Sequence, residues 1–168
     1  MHQAIARKVS GGMNTAPKPD SSRVRTVFYW ITTGYVALAM FFGGVSEVLD
    51  ASMSLEFSSI GVATVVAVLG YPLYFVYIIG IAKVFGAIAI VVPRFPRLKE
   101  WAYAGLIFNM SGALLSWLIV TVVQGEAIPA GYGSPAFHVF NALHLIVVII
   151  VSWLLRPDNR RVGKIIQR

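Results

Sequence analysis

Cysteine is absent from the 168-residue chain, and charged residues make up only 12% of it. Without thiols there are no disulfides, no thiolate metal sites and no paired-thiol route for passing electrons to a quinone. A soluble domain carries roughly 25% charged residues, whereas this chain is 57% apolar, so its solvent is lipid. The first 25 residues also lack the short apolar core of a secretory leader. Residues 1–25, with Gly11, Gly12, Pro17 and Pro19, are expected to form a flexible basic cytoplasmic tail, in which Met13 is an alternative start.

A net charge of +7 would suit nucleic acid only if the basic residues covered one exposed face interleaved with aromatics. They do not. Arg7, Lys8, Lys18, Arg23 and Arg25 precede the first apolar run, Arg94, Arg97 and Lys99 sit mid-chain, and Arg156, Arg160, Arg161, Lys164 and Arg168 follow the last run. Lys83 alone lies elsewhere. Nucleic acid is therefore not an expected partner; the bilayer is.

A hydrocarbon core of about 30 Å takes about 20 apolar helical residues. Four runs qualify: residues 26–46, 71–92, 101–123 and 135–155. The connections after the first and third runs hold no basic residue and carry Glu47, Asp50, Glu56 and Glu126. Basic residues resist transfer across the membrane, so both tails and the central loop are expected on the cytoplasmic side. The predicted fold class is an all-α membrane protein, a four-transmembrane-helix bundle with a short outer-face interfacial helix over residues 56–70 and a second basic tail over 156–168. The 56–70 segment is too short to cross alone; the competing reading joins it to the second span as one helix kinked at Pro72. Gly70, Tyr71 and Pro72 favour a break. Phe28, Tyr29, Trp30, Trp101 and Tyr103 on the inner side, and Tyr71, Tyr74 and Tyr132 on the outer, are expected as interface anchors.

Polar residues at membrane depth carry the functional content. Lys83 stands twelve residues into the second span, roughly 18 Å at 1.5 Å per residue. A central lysine costs about 2.5–3.5 kcal/mol, so it should face the bundle interior and either find a partner or give up its proton. Glu47, at the outer end of the first span, is the first candidate, with Asp50 nearby. Asn109 and His144 reach similar depth from opposite sides. His138, Asn141 and His144, three residues apart, form a stripe roughly 120° wide. Gly105, Asn109, Gly112 and Ser116 follow the spacing of a packed helix face, and Gly80 and Gly86 flank Lys83. Two readings compete for these residues: interhelical hydrogen bonds that set packing, or a ligand pocket formed by Lys83, Asn109, His144, Asn141, His138 and Glu47.

The inventory discounts other chemistry. Haem held between two helices needs histidine on both, while His138 and His144 share one span. Their spacing also spreads them too widely for a simple metal site. No phosphate-binding loop or nucleophile motif occurs. Haem, metal and nucleotide are thus not expected; quinone or another lipid remains as a candidate ligand.

The stretch from Leu69 to Ser116, LGYPLYFVYIIGIAKVFGAIAIVVPRFPRLKEWAYAGLIFNMSGALLS, resembles the DoxX-like family of small four-span bacterial membrane proteins. The resemblance lies in the LGYP turn, the Gly-x-x-Lys of the following helix and the PRFPRLKEWAYAG loop and helix start; Phe41 to Gly44 is compatible with it. What it implies is a bacterial inner membrane location and an accessory or assembly role in a membrane redox complex, the namesake proteins being small subunits associated with a thiosulfate to quinone oxidoreductase. The third span departs from the pattern, with Asn109 where relatives commonly have an acid and Trp117 where they commonly have histidine. That departure puts a proton relay through this helix in doubt. Three functions follow: an accessory subunit, a binder or enzyme for a lipophilic molecule such as a quinone in a midplane pocket, and a small-molecule transporter, for which a single midplane lysine describes a poorly wetted path.

Overall fold

A computed structural model describes residues 21–53, 68–124, 134–157, 160 and 162. Residues 1–20, most of the expected interfacial helix with Glu56, the connection holding Glu126 and Tyr132, and most of the C-terminal tail lie outside the described residues.

The described chain folds into four helices: α1 (Ser21–Met53), α2 (Leu73–Val91), α3 (Pro96–Gln124) and α4 (Pro135–Leu155). Each is long and apolar enough to cross a bilayer. α1 packs on α2, α2 on α3, α3 on α4, and α4 returns to α1. Apolar side chains also cover the outside of the bundle: Val122 is 83% exposed and Trp101 80%. Such a surface is tolerated where the surroundings are hydrocarbon.

Helix ends follow local chemistry rather than charge. α1 holds 33 residues, about 50 Å at 1.5 Å per residue, and runs through Glu47, where the apolar run stops. No proline or glycine lies between Val45 and Met53 to break it, and a carboxylate alone does not. α2 starts only after a true interruption. Val68 and Leu69 are helical, Gly70 takes φ +72°, a conformation glycine adopts at little cost, and Pro72 is extended at φ −68°, ψ 148°. The second span is therefore not a continuation of the residues before Gly70. α3 opens on Pro96, whose missing N–H is no loss in a first turn, five residues before Trp101. In α4 the Ser134 side chain accepts from the Phe137 N–H at 3.2 Å, Pro135 occupies the first turn, and Pro157 follows the end.

Packing corrects the expected glycine stripe. The close crossing is Gly44 of α1 on Gly80 of α2: a Cβ at Gly44 would lie 2.5 Å from the Gly80 carbonyl oxygen. Gly86 makes room for Leu106. On α3, by contrast, a Cβ at Gly105 or Gly112 would meet nothing within 4 Å, so these two glycines do not serve helix contact within the chain.

The end of the bundle that carries the basic residues is tied by polar contacts. Thr33 of α1, Tyr103 of α3 and Ser152 of α4 are buried together, with Thr33 to Ser152 at 2.7 Å and Tyr103 to Ser152 at 2.8 Å. Lys99 is buried, donating to the carbonyls of Ala89 at 3.2 Å, Ile90 at 2.8 Å and Val92, which closes the C-terminus of α2 as a cation there should. Arg25 donates to the Leu154 and Arg156 carbonyls at 3.3 and 3.2 Å, and Arg156 pairs with Glu100. Arg160 lies 4.4 Å over the Trp30 ring. Tyr29 and Tyr103, expected as interface anchors, are buried. Their hydroxyls explain it: Tyr103 bonds Ser152 and Tyr29 accepts from Arg160 at 3.3 Å.

Candidate functional site

In the half of the bundle opposite the basic end, the helices do not fill the interior. Ala39, Gly43 and Ser46 on α1 and Gly112 and Ala113 on α3 present little side chain, and a cavity of about 460 Å³ lies between them. α2 contributes Val76, Ile79 and Lys83, and α4 contributes His138, Asn141, Ala142 and Leu145. The volume falls within the roughly 300–1,000 Å³ typical of small-molecule sites. Towards the basic end the interior closes over Val36, Ile90, Leu106 and Ile149, all buried in one apolar cluster with Met40, Met110 and Leu145.

The Gly44 and Gly80 crossing sets the main polar feature. It brings α1 so close to α2 that a Cβ at Gly44 would lie 3.0 Å from the Lys83 Cβ, and one at Gly80 would lie 3.2 Å from the Glu47 Cβ. Glu47 and Lys83 stand one helical turn to either side of that contact, and Lys83 Nζ donates to Glu47 Oε1 across it. The two side chains are only 13% and 21% exposed. Glu47 Oε2 is buried and has no hydrogen-bond partner among the described residues. An ion pair at membrane depth offsets the cost of both charges only when the remaining lone pairs are also served, and here one is not.

Five of the six residues expected at the site, Glu47, Lys83, Asn109, His138 and Asn141, line this cavity; His144 does not. It packs instead edge-on against Tyr35 at 5.6 Å and parallel to Phe140 at 6.4 Å. The expected stripe on α4 thus splits. Each step of three residues falls roughly 60° short of a full turn of the helix, and two such steps carry His144 away from the cavity. The Asn109 and Asn141 amides make no hydrogen bond to any described residue.

Several lining groups escaped the sequence reading. Tyr71, expected as an interface anchor, shares a hydrogen bond of 2.6 Å with Ser116. Ser116 already donates to the Gly112 carbonyl at 2.8 Å, so Tyr71 is the donor. Trp117 lies parallel to His138 with ring centres 3.8 Å apart and planes 1° from parallel, both rings buried. The signal for this wall was present: Asn109 and Trp117, the two departures from the family pattern, both line the cavity. Among the described residues, no three His, Asp or Glu side chains come together as a metal site.

Four apolar helices, each long enough to cross a bilayer, define a small multi-pass membrane protein. The chain belongs to the DoxX-like family, whose model matches residues 31–151, from the first third of α1 to the last turns of α4. No curated protein and no solved structure matches it.

Proposed function

We propose that this DoxX-like protein binds a lipophilic small molecule with a polar head in the cavity beside the Lys83 and Glu47 pair. One observation carries the reading: Glu47 Oε2, Asn109 and Asn141 border an interior cavity without a protein hydrogen-bond partner among the described residues. In a bilayer, polar groups left unserved by the protein cost free energy that a ligand or captured water recovers. Apolar walls from Phe75, Ile79, Phe108 and Leu145 suit the rest of a lipophilic molecule, and a quinone is a member of that class.

The accessory role in a bacterial inner-membrane redox complex draws its support from the family resemblance. It joins the ligand reading if the ligand is the quinone such a complex uses. A transport path is less favoured, since the apolar cluster around Ile90, Leu106 and Ile149 separates the cavity from the basic end.

The test is native mass spectrometry of gently solubilised protein, scoring extractable lipophilic molecules and co-purifying proteins. Gly112→Leu extends a side chain into the cavity. A molecule retained by the wild type and lost from folded Gly112→Leu supports the site. No retained molecule, with a stoichiometric protein partner instead, replaces ligand binding by the accessory role.

A further inference from the structure

The Lys83 and Glu47 pair lines the cavity. It is neutral as a whole, yet it leaves one carboxylate oxygen unserved: Oε1 takes the Lys83 ammonium, and Oε2 is buried without a partner among the described residues. An ammonium has three N–H groups, so Lys83 retains donors beyond the one given to Glu47. The pair thus offers an acceptor and a donor side by side on the cavity wall. Glu47 lines the cavity, and a turn of its carboxylate about the terminal torsion, which is soft, would bring Oε2 toward it.

Each head group meets this pair differently. A carboxylate or phosphate places a second negative charge beside Glu47, and an amine places a second positive charge beside Lys83. A carbonyl or ether oxygen accepts from Lys83 but leaves Oε2 unserved. A hydroxyl does both, donating to Oε2 and accepting from Lys83. The nearby hydroxyls do not compete for Oε2, because Ser116 donates to Gly112 and Tyr71 donates to Ser116. Aromatic side chains line the same cavity, Trp117 stacked on His138 at 3.8 Å and, elsewhere on the lining, Phe75 and Phe108, and they favour a ring as the carrier of that hydroxyl.

From this we infer that the cavity takes a neutral, hydroxyl-bearing ring, a phenol or hydroquinone head, in preference to its carbonyl or ether counterpart. The inference concerns binding alone and rests on the cavity's being a ligand site.

Three matched probes test it: 2-naphthol, 2-methoxynaphthalene and 1,4-naphthoquinone. They are titrated calorimetrically into the full-length protein in detergent, with empty-micelle titrations subtracted. The expected result is 2-naphthol bound about tenfold or more tighter than the ether, the step set by one hydrogen bond to a charged group. Glu47→Gln puts an N–H donor where Oε2 stood, so it should abolish that preference and improve 1,4-naphthoquinone. Should Glu47→Gln not fold, the double variant Glu47→Gln/Lys83→Met, which leaves no charge, should bind 2-naphthol and the ether alike. Equal affinities for all three probes in the wild type, lost in Gly112→Leu, would overturn the hydroxyl preference and leave the cavity reading standing. A preference for 2-naphthol that survives removal of the Glu47 carboxylate also overturns it. If no probe binds the wild type, the cavity reading itself fails.

Discussion

At the scale of single residues, glycine and lysine separate by what surrounds them. Gly44 and Gly112 both interrupt apolar helices, yet a Cβ at Gly44 would sit 2.5 Å from a backbone oxygen and one at Gly112 would meet nothing. Gly44→Ala should therefore push α1 from α2 and cost about 1–3 kcal/mol, the range for overpacking a closed contact. Gly112→Ala should be neutral or gain up to about 1 kcal/mol. Thermal unfolding in detergent reads both, and equal midpoints would refute the crossing. The same crossing holds the ion pair. Lys83→Met alone strands a buried carboxylate and should cost towards the lower end of about 3–5 kcal/mol, the pair being partly exposed. The double change Glu47→Gln/Lys83→Met should recover most of that loss. That Lys83 needs a partner was legible from its depth, and Glu47 from its position at the end of the preceding run. That the Asn109 and Asn141 amides make no hydrogen bond to a described residue was not, because side-chain satisfaction depends on how three helices are rotated about their axes. His144 shows the same limit: residue spacing places a stripe on α4, but only packing decides how far around the helix the cavity extends.

Elements were legible where composition changes and blurred where it does not. α4 occupies residues 135–155, where the run bounded by Pro135 and Arg156 places it. α1 and α3 overshoot their apolar runs, since Glu47 and Lys99 are compatible with a helix and only glycine and proline punctuate it strongly. The small residues of α3 read as a contact face, but two of them border open space, which is why the cavity itself escaped the pattern. Lys99 shows an element held by a residue that sequence alone assigns to a solvated loop. Its three carbonyl partners are the last acceptors of α2, and replacing it with methionine leaves them unserved at about 1–3 kcal/mol of local stability. Lys99→Met should accordingly accelerate hydrogen exchange in the segment around residues 88–98 while leaving ligand retention in the distant cavity unchanged. Uniformly faster exchange across all four helices would mean that Lys99 holds the whole bundle rather than one helix end.

At the scale of the molecule, the two ends of the bundle divide the labour by charge. Arg25, Lys99, Arg156 and Arg160 gather at one end, where they cap helices and stack on aromatic rings; the cavity with the Lys83 and Glu47 pair occupies the other half. We propose that the basic residues act twice. In the folded chain they satisfy the carbonyl ends of α2 and α4; during insertion, before any helix has packed, the same side chains would resist translocation and set orientation. On this proposal orientation is set by charges that the finished structure partly buries, so it should survive the loss of any one folded-state contact. The chain's lack of cysteine makes this measurable with single introduced thiols. Tyr74→Cys sits on an exposed position at the start of α2, and Phe95→Cys on the exposed turn between α2 and α3. In bacterial cells, a membrane-impermeant maleimide should label Tyr74→Cys from outside and reach Phe95→Cys only after the cells are opened. Adding Arg160→Gln should lower thermal stability by about 0.5–2 kcal/mol through the lost cation–π contact and leave this labelling pattern as it was. The opposite pattern would place the cavity half on the cytoplasmic side, and any ligand would then enter from the leaflet facing the cell interior.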